Sequence, residues 1–444
     1  MIVLPNTPPT PLPWKVDTLL ILADIQAKRA SLCNASIASH SETVRYILGL
    51  LEYIESLFEL LSTDSPERSV PRYASRALDL ILTTTVPWKN VEKKETKKLF
   101  KLNSKPDLSW TLAAEIQLAT VSLAMSYIKL GAELTNELIE TESGLEPEKE
   151  MDEKWKLVSN HYKKAVAFSL FGGQFTMGST DTTIDPRVFV LIDKCSQIGI
   201  QMSILSKFSW LNRNSYNLNE TFTLSNNNVL CRVAIFVLDE VVSCINLVKE
   251  LSHNEVSHFR LNYNGWESYL SVVQQYATAY AGLFLSIEYY QKESLGQAIG
   301  LINFSLLSLQ SKSMADLKPT RNKILSKFKT KVASKRNEQF VQNLNSITSL
   351  RIDKSVFLEL SGLVLKDLQL LFDQLVQCHL KYTKENDNLK FDAVSDWKDV
   401  HGDSRWPFGS KIPVSAVEPY CPKVLQPDEP DTIKQGFTGR GSYF

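Results

Sequence analysis

Residues 109–138 read SWTLAAEIQLATVSLAMSYIKLGAELTNEL, and this stretch decides the fold class. Its apolar residues recur every three or four positions, which is the spacing of a buried stripe along one side of an α-helix. The stripe consists of Leu112, Ile116, Ala119, Leu123, Tyr127 and Leu130. Ser109 is placed to cap the helix at its start, and Gly144 follows its end. The stretch therefore predicts a helix from about Trp110 to Leu138.

The distribution of proline extends this prediction along the chain. The first fourteen residues hold five prolines, whereas only Pro147, Pro186 and Pro319 occur between Pro106 and Thr383. Proline-poor stretches of this length are typical of helices, because they are far longer than strands. Further helices are predicted at about 154–171, 187–209, 229–251, 264–291, 294–310, 316–349 and 354–384. Long helices with short connections predict an all-α body of stacked antiparallel pairs, with possible short strands in the first twenty residues.

Composition excludes several classes of protein. A hydrophobic fraction of 43% is enough for a sizeable core, and 49 basic against 49 acidic residues speak against nucleic-acid binding. The six cysteines are scattered, without a C-x-x-C pair or a zinc spacing, and no secretory signal precedes them. No run of 18 apolar residues occurs either. We therefore expect a cytoplasmic protein with reduced thiols, without a metal site or a membrane span.

The strongest enzymatic signal is weak. Residues 173–180 have the glycine spacing of a phosphate-binding loop, but Ser179 stands where such a loop needs a lysine, and the preceding segment reads as helix. Cys378 and His379 are adjacent on one predicted helix, so their side chains point about 100° apart and cannot form a catalytic dyad. We therefore expect no enzyme, no catalytic residue, no cofactor and no small-molecule substrate.

A basic helix is the first candidate interaction surface. Residues 312–336 contain nine basic residues and one acidic residue, together with an apolar stripe. Such a helix can lie on an acidic membrane surface or bind a partner, and Lys323, Lys327 and Lys331 are the candidate contacts. The alternative is a helix packed by its stripe whose basic face is solvated.

The helix that starts near Val229 is the second candidate, because residues 229–238 are apolar nearly all round. One core-facing stripe cannot use so many apolar side chains. Either this helix is buried on every side, or part of it forms an exposed patch for a partner.

Four segments resemble, in order, the BRO1-domain family. They are Ala114–Leu130, His161–Gly173 with its His-Tyr-x-x-Ala start, Tyr276–Gly300, and the Lys384–Phe391 segment KENDNLKF. Trp397 and the ending Trp406–Pro413, which reads WPFGSKIP, are similar to the fungal PalC branch of this family. The resemblance covers about residues 10–415. It implies an elongated BRO1-type helical solenoid of TPR-like helix pairs over residues 1–415, followed by a Pro- and Gly-rich tail, residues 416–444.

The resemblance also implies a function. BRO1 domains are non-catalytic adaptors that bind the C-terminal amphipathic helix of an ESCRT-III filament subunit in an apolar patch, and the family's patch positions fall on Ile200, Val229 and Val233. PalC-type proteins imply ambient-pH signalling, with peripheral recruitment of a cytoplasmic protein to endosomal or plasma membrane. A BRO1-type endosomal sorting adaptor and a membrane-surface scaffold that uses the basic helix are the alternatives.

Overall fold

The computed structural model describes residues 1–15, 23–62, 69–93, 109–141, 148–177, 184–219, 222, 224–253, 257–309, 364–396 and 406–426. The described residues are 73% helical and include 10 α-helices, so the predicted all-α class is confirmed. The helices are α1 (Ala23–Cys33), α2 (His40–Ser62), α3 (Val70–Asp79), α4 (Leu112–Glu140), α5 (Glu148–Met177), α6 (Arg187–Asn219), α7 (Asn227–His253), α8 (Trp266–Gln291), α9 (Leu295–Ser308) and α10 (Val364–Glu385). The strands are β1 (Ile81–Thr83), β2 (Val91–Lys93), β3 (Trp110–Thr111) and β4 (Phe259–Leu261).

The helices predicted in the middle of the chain are confirmed as α4 to α9, with ends that differ by a few residues. The predicted helix at 316–349 lies outside the described residues, and α10 forms the later part of the one predicted at 354–384. α1, α2 and α3 were not predicted. The signal for α2 was present, because Leu50, Ile54, Leu57 and Leu61 follow helical spacing and are fully buried.

Consecutive helices from α4 to α9 pack side by side and antiparallel, as predicted. Tyr162 of α5 shows how closely they approach, since its ring lies between Gly131 of α4 and Gly199 of α6. A Cβ atom on Gly131 would stand 2.9 Å from this ring, and one on Gly199 would be closer still. The side chain of Tyr162 is fully buried. Glycine at both positions therefore lets three helices enclose one aromatic ring.

The short strands pair over long sequence distances. β1 pairs antiparallel with β3, and β2 pairs antiparallel with β4 in the register Glu92 to Arg260. Within residues 1–15, the described part of the N-terminal segment for which short strands were predicted, there is one isolated bridge, between Pro11 and Trp88. Strand partners this distant leave no hairpin signal in the sequence.

α6 is the one described helix that is long and apolar enough to cross a membrane, over Arg187–Tyr216. However, 72% of its most apolar window is buried inside the protein. Packing against neighbouring helices therefore accounts for these apolar residues.

A buried polar cluster ties the first helices to α4. The Glu115 carboxylate accepts hydrogen bonds from Arg29 Nε at 2.8 Å and Tyr53 OH at 2.8 Å through Oε1, and from Trp88 Nε1 at 2.7 Å and Trp110 Nε1 at 2.9 Å through Oε2. Burial alone would lower the pKa of Arg29, but the attraction of Glu115 outweighs it and the pKa stands above its ordinary value. The charge pair is therefore maintained inside the core.

Candidate partner-binding surface

The outer face of α7 carries a stripe of four side chains spaced three or four residues apart: Val229, Arg232, Phe236 and Asp239. Val229 is 51% exposed, Arg232 and Asp239 are exposed, and Phe236 is half-buried. Between them, α7 buries most of its other apolar residues against its neighbours. The helix that looked apolar all round is thus mainly a core helix with one exposed face.

The structure revises the predicted three-residue patch. Ile200 and Val233 are 1% and 0% exposed, so in this conformation neither side chain can contact a partner. Val233 and Arg232 lie on opposite sides of Val229 around the helix axis, and Val233 is about 40° away from Val229. This rotation turns the Val233 side chain into the packed interior. Only Val229 reaches the surface, and its role in binding stays a prediction.

Ile204 and Leu157 are surface candidates that the sequence analysis missed. Ion pairs from Lys194 to Glu240 at 2.7 Å and from Arg187 to Glu250 at 3.2 Å set the antiparallel register of α6 on α7. By this register Val229 is level with residues 205–208, within about one turn of the half-buried Ile204.

On the other side of α6, the contact between Gly199 and Tyr162 fixes α5 in the same way. This register places Leu157, which is 46% exposed, at about the level of Ile204. Ile204 on α6 and Leu157 on α5 therefore lie at about the level of Val229, but Leu157 is about 120° round α5 from Lys163, which donates to Ser415 of the C-terminal segment. The sequence did contain a signal for their exposure: each of these apolar residues is three or four positions from a polar surface residue of the same helix, and so lies on the same face as that residue.

Residues 406–426, which we call the strap, cross the same face without forming regular secondary structure before Pro422. The strap starts at α9, where the Trp406 ring packs edge-on against the Phe304 ring, with 5.9 Å between the two ring centres. The amide of Ser410 then donates to the carbonyl of Arg232 on α7 at 3.0 Å. The backbone of Ile412 makes two hydrogen bonds with the Gln201 side-chain amide on α6, both at 3.2 Å.

The far end of the strap is anchored by Tyr420. Its amide donates to the carbonyl of Ala167 on α5 at 3.0 Å, and its ring centre lies 4.5 Å from Phe168 and 5.3 Å from Phe171. Its hydroxyl donates to the Glu55 carboxylate on α2. The domain boundary predicted at residue 415 thus falls inside a segment that packs on the body.

The strap also meets charge where it crosses α6 and α7. Burial raises the pKa of the Asp193 carboxyl on α6, and the positive charge of Lys411 in the strap works against that rise. Burial and then Glu240 raise the pKa of Asp239 on α7. The strap therefore brings a lysine to a partly desolvated acidic area.

The other site candidates are a metal site, the Cys378–His379 pair and the three lysines of the basic helix. Among the described residues there is no group of three or more His, Cys, Asp or Glu side chains that could hold a metal ion. Cys378 and His379 are buried neighbours on α10. Lys323, Lys327 and Lys331 lie outside the described residues.

Residues 110–444 match the model of a family described as "Family of unknown function (DUF5355)". No curated protein matches the chain. A solved structure described as "ALIX BRO1 CHMP4C complex" is similar at a TM-score of 0.48 and 14% sequence identity, over 91% of this chain and 85% of that one. Another, described as "Structure basis for endosomal targeting by the Bro1 domain", gives a TM-score of 0.40 and 12% identity, over 80% of this chain and 88% of that one.

Proposed function

Since the chain belongs to the DUF5355 family, whose description assigns no activity, we propose from its own residues that it is a non-catalytic adaptor of the BRO1 type. It binds the C-terminal amphipathic helix of an ESCRT-III filament subunit on the outer face of α7. The partner class comes from the resemblance of the four segments between Ala114 and Phe391. The exposure of Val229 supports the proposed place of binding.

One observation carries the proposal: Val229, on the helix where the resemblance expects a partner site, is 51% exposed. The half-buried Ile204 lies within about one turn of the same level on the neighbouring α6. A helical peptide that docks on apolar side chains gains most of its affinity from a few central anchors. An exposed valine with Ile204 near it and with the charged Arg232 and Asp239 on the same face of α7 fits the apolar side of such a peptide.

The resemblance of Trp406–Pro413 to the PalC branch supports a narrower version of this role, in fungal ambient-pH signalling. An adaptor in such a pathway would be cytoplasmic and recruited peripherally to endosomal or plasma membrane. A pull-down from a fungal lysate, probed for ESCRT-III subunits and for proteins of the pH response, tests this version. Recovery of endosomal sorting components alone would favour the sorting adaptor instead.

The direct test is binding of the full chain to a synthetic ESCRT-III C-terminal helix, followed by fluorescence anisotropy without nucleotide or metal. Val229→Asp places a charge at this exposed apolar position, and we expect an affinity loss on the order of 2 kcal/mol, or about 30-fold. Its melting temperature should hardly change, because an aspartate at this exposed position stays hydrated.

Val242→Asp is the matched control. Val242 is a second valine of α7, is 39% exposed, and lies on a different side of the helix from Val229. Its variant should bind the peptide like the wild type. No binding by the wild type, or an equal loss in both variants, contradicts the proposal; liposome binding without peptide affinity would favour the membrane-surface scaffold.

A further inference from the structure

The strap lies across the surface to which the proposed function assigns the partner. Ser410 is hydrogen-bonded to the carbonyl of Arg232, one turn from Val229 on the same face of α7. We propose that the strap is an internal competitor of the partner helix, and that its middle part must leave α7 before a helix can dock at Val229. This inference rests on the function proposed above.

The two occupants cannot share the face because they are too close. Three residues of helix separate Val229 from Arg232, which is about 4.5 Å along the axis of α7. A partner helix with its side chains is about 10–12 Å wide, so one centred over Val229 extends about 5 Å to each side and reaches Arg232. The partner helix would therefore occupy the space that Ser410 fills in the free protein.

The strap is built so that it can leave without opening the core. No residue from 406 to 421 is fully buried, and Pro407, Pro413 and Pro419 have no amide to hold it down. Its apolar residues are at most half-buried: Ile412 and Val414 are half-buried, and Phe408 is exposed. A segment with few buried contacts opens at a lower free energy than the helices beneath it.

The two ends of the strap are held more firmly than its middle. Trp406 packs on Phe304, and Tyr420 packs on Phe168 and Phe171. The middle is held by hydrogen bonds: one to α7, two to Gln201 on α6, and one from Lys163 on α5 to Ser415. The middle can therefore lift while both ends stay attached. A partner that replaces it should bring its own basic residue to Asp193, where Lys411 now lies.

Gly409 gives a sharp way to loosen the middle. A Cβ atom at this position would stand 2.9 Å from the amide nitrogen and 3.0 Å from the Cα of Phe236, and a helix backbone cannot move aside. Gly409→Ala in the full chain should push the strap off α7 and strengthen binding of the ESCRT-III peptide about tenfold, since a larger fraction of molecules is ready to bind.

Gly173→Ala is the matched control, because a Cβ there has nothing within 4 Å. It should bind the peptide with the affinity of the wild type. If Gly409→Ala also binds like the wild type, the strap is no competitor, although the adaptor function stands. If neither the wild type nor Gly409→Ala binds the peptide, the proposed function fails and the competition fails with it.

Hydrogen exchange on the unmodified chain gives a second readout that does not depend on how a variant folds. The Ser410 amide donates to Arg232 and should exchange slowly in the free protein. Saturating peptide should speed its exchange, while the Tyr420 amide at the anchored end should keep its protection. Unchanged protection of Ser410 in the complex would overturn the competition.

Discussion

Replacing Glu115 by glutamine should destabilise the fold more than almost any other single polar change. Glu115 is fully buried, and its carboxylate accepts four hydrogen bonds, from Arg29, Tyr53, Trp88 and Trp110. Glutamine has nearly the same shape but only one accepting oxygen. Its amide nitrogen would face two of the four donors, and the guanidinium of Arg29 would lose its counter-charge inside the core.

The expected loss follows from these contacts. Removing one partner of a buried ion pair costs about 3–5 kcal/mol, because the other charge stays buried without compensation. Each orphaned buried donor costs about 1–3 kcal/mol, but these penalties overlap with the first and do not add to it. We therefore expect Glu115→Gln to lower the free energy of unfolding by about 3–5 kcal/mol.

Urea unfolding followed by tryptophan fluorescence measures this loss. Glu137→Gln is the matched control on the same helix, since the Glu137 side chain is 60% exposed. It should change the free energy of unfolding by less than about 0.5 kcal/mol. A loss below about 1 kcal/mol for Glu115→Gln would refute the view that this cluster holds α1, α2 and α4 together.

Two further predictions concern packing and pH. Gly199→Ala should lower the free energy of unfolding by about 1–3 kcal/mol, because its Cβ would overlap the Tyr162 ring, and a urea titration that shows no loss would contradict this close packing. Burial and then the nearby His40 lower the pKa of His161 to about 4, below its ordinary value of 6.5, so the folded state resists protonation of this ring. Stability should thus be complete above pH 6.5 and fall as the pH drops from 6.5 towards 4, and thermal melts should show a smaller decline for His161→Phe. An unchanged decline in that variant would assign the acid sensitivity to other groups.

The sequence was enough to predict most of the helices, but it was not enough to predict which of their faces are exposed. α4 and α8 could be predicted because proline-free stretches and apolar spacing are local signals. Val229 and Val233 look equivalent in the sequence, since both are valines one turn apart. Yet a rotation of about 40° leaves one 51% exposed and the other 0%. Such a difference depends on where the neighbouring helices lie, which residue spacing does not encode.

The strap could not be predicted for another reason. Its contacts join residues far apart in the chain, such as Ile412 with Gln201 and Tyr420 with Glu55. An extended segment rich in proline has no periodic pattern, so the same residues read as part of a tail after residue 415. Only the half-buried Ile412 and Val414, two residues apart, hint that one side of this segment faces a surface.

The contact between Tyr420 and Glu55 can form only late in synthesis of the chain. These two residues are separated by 365 positions, so α2 leaves the ribosome long before its partner is synthesised. At about 5–20 residues per second the delay is roughly 20–70 s. During that time Phe168 and Phe171 emerge as well and lack the ring that later packs against them. A chaperone that binds exposed aromatic side chains can therefore contact Phe168 and Phe171 on the nascent protein until the last part of the strap is synthesised and Tyr420 covers them.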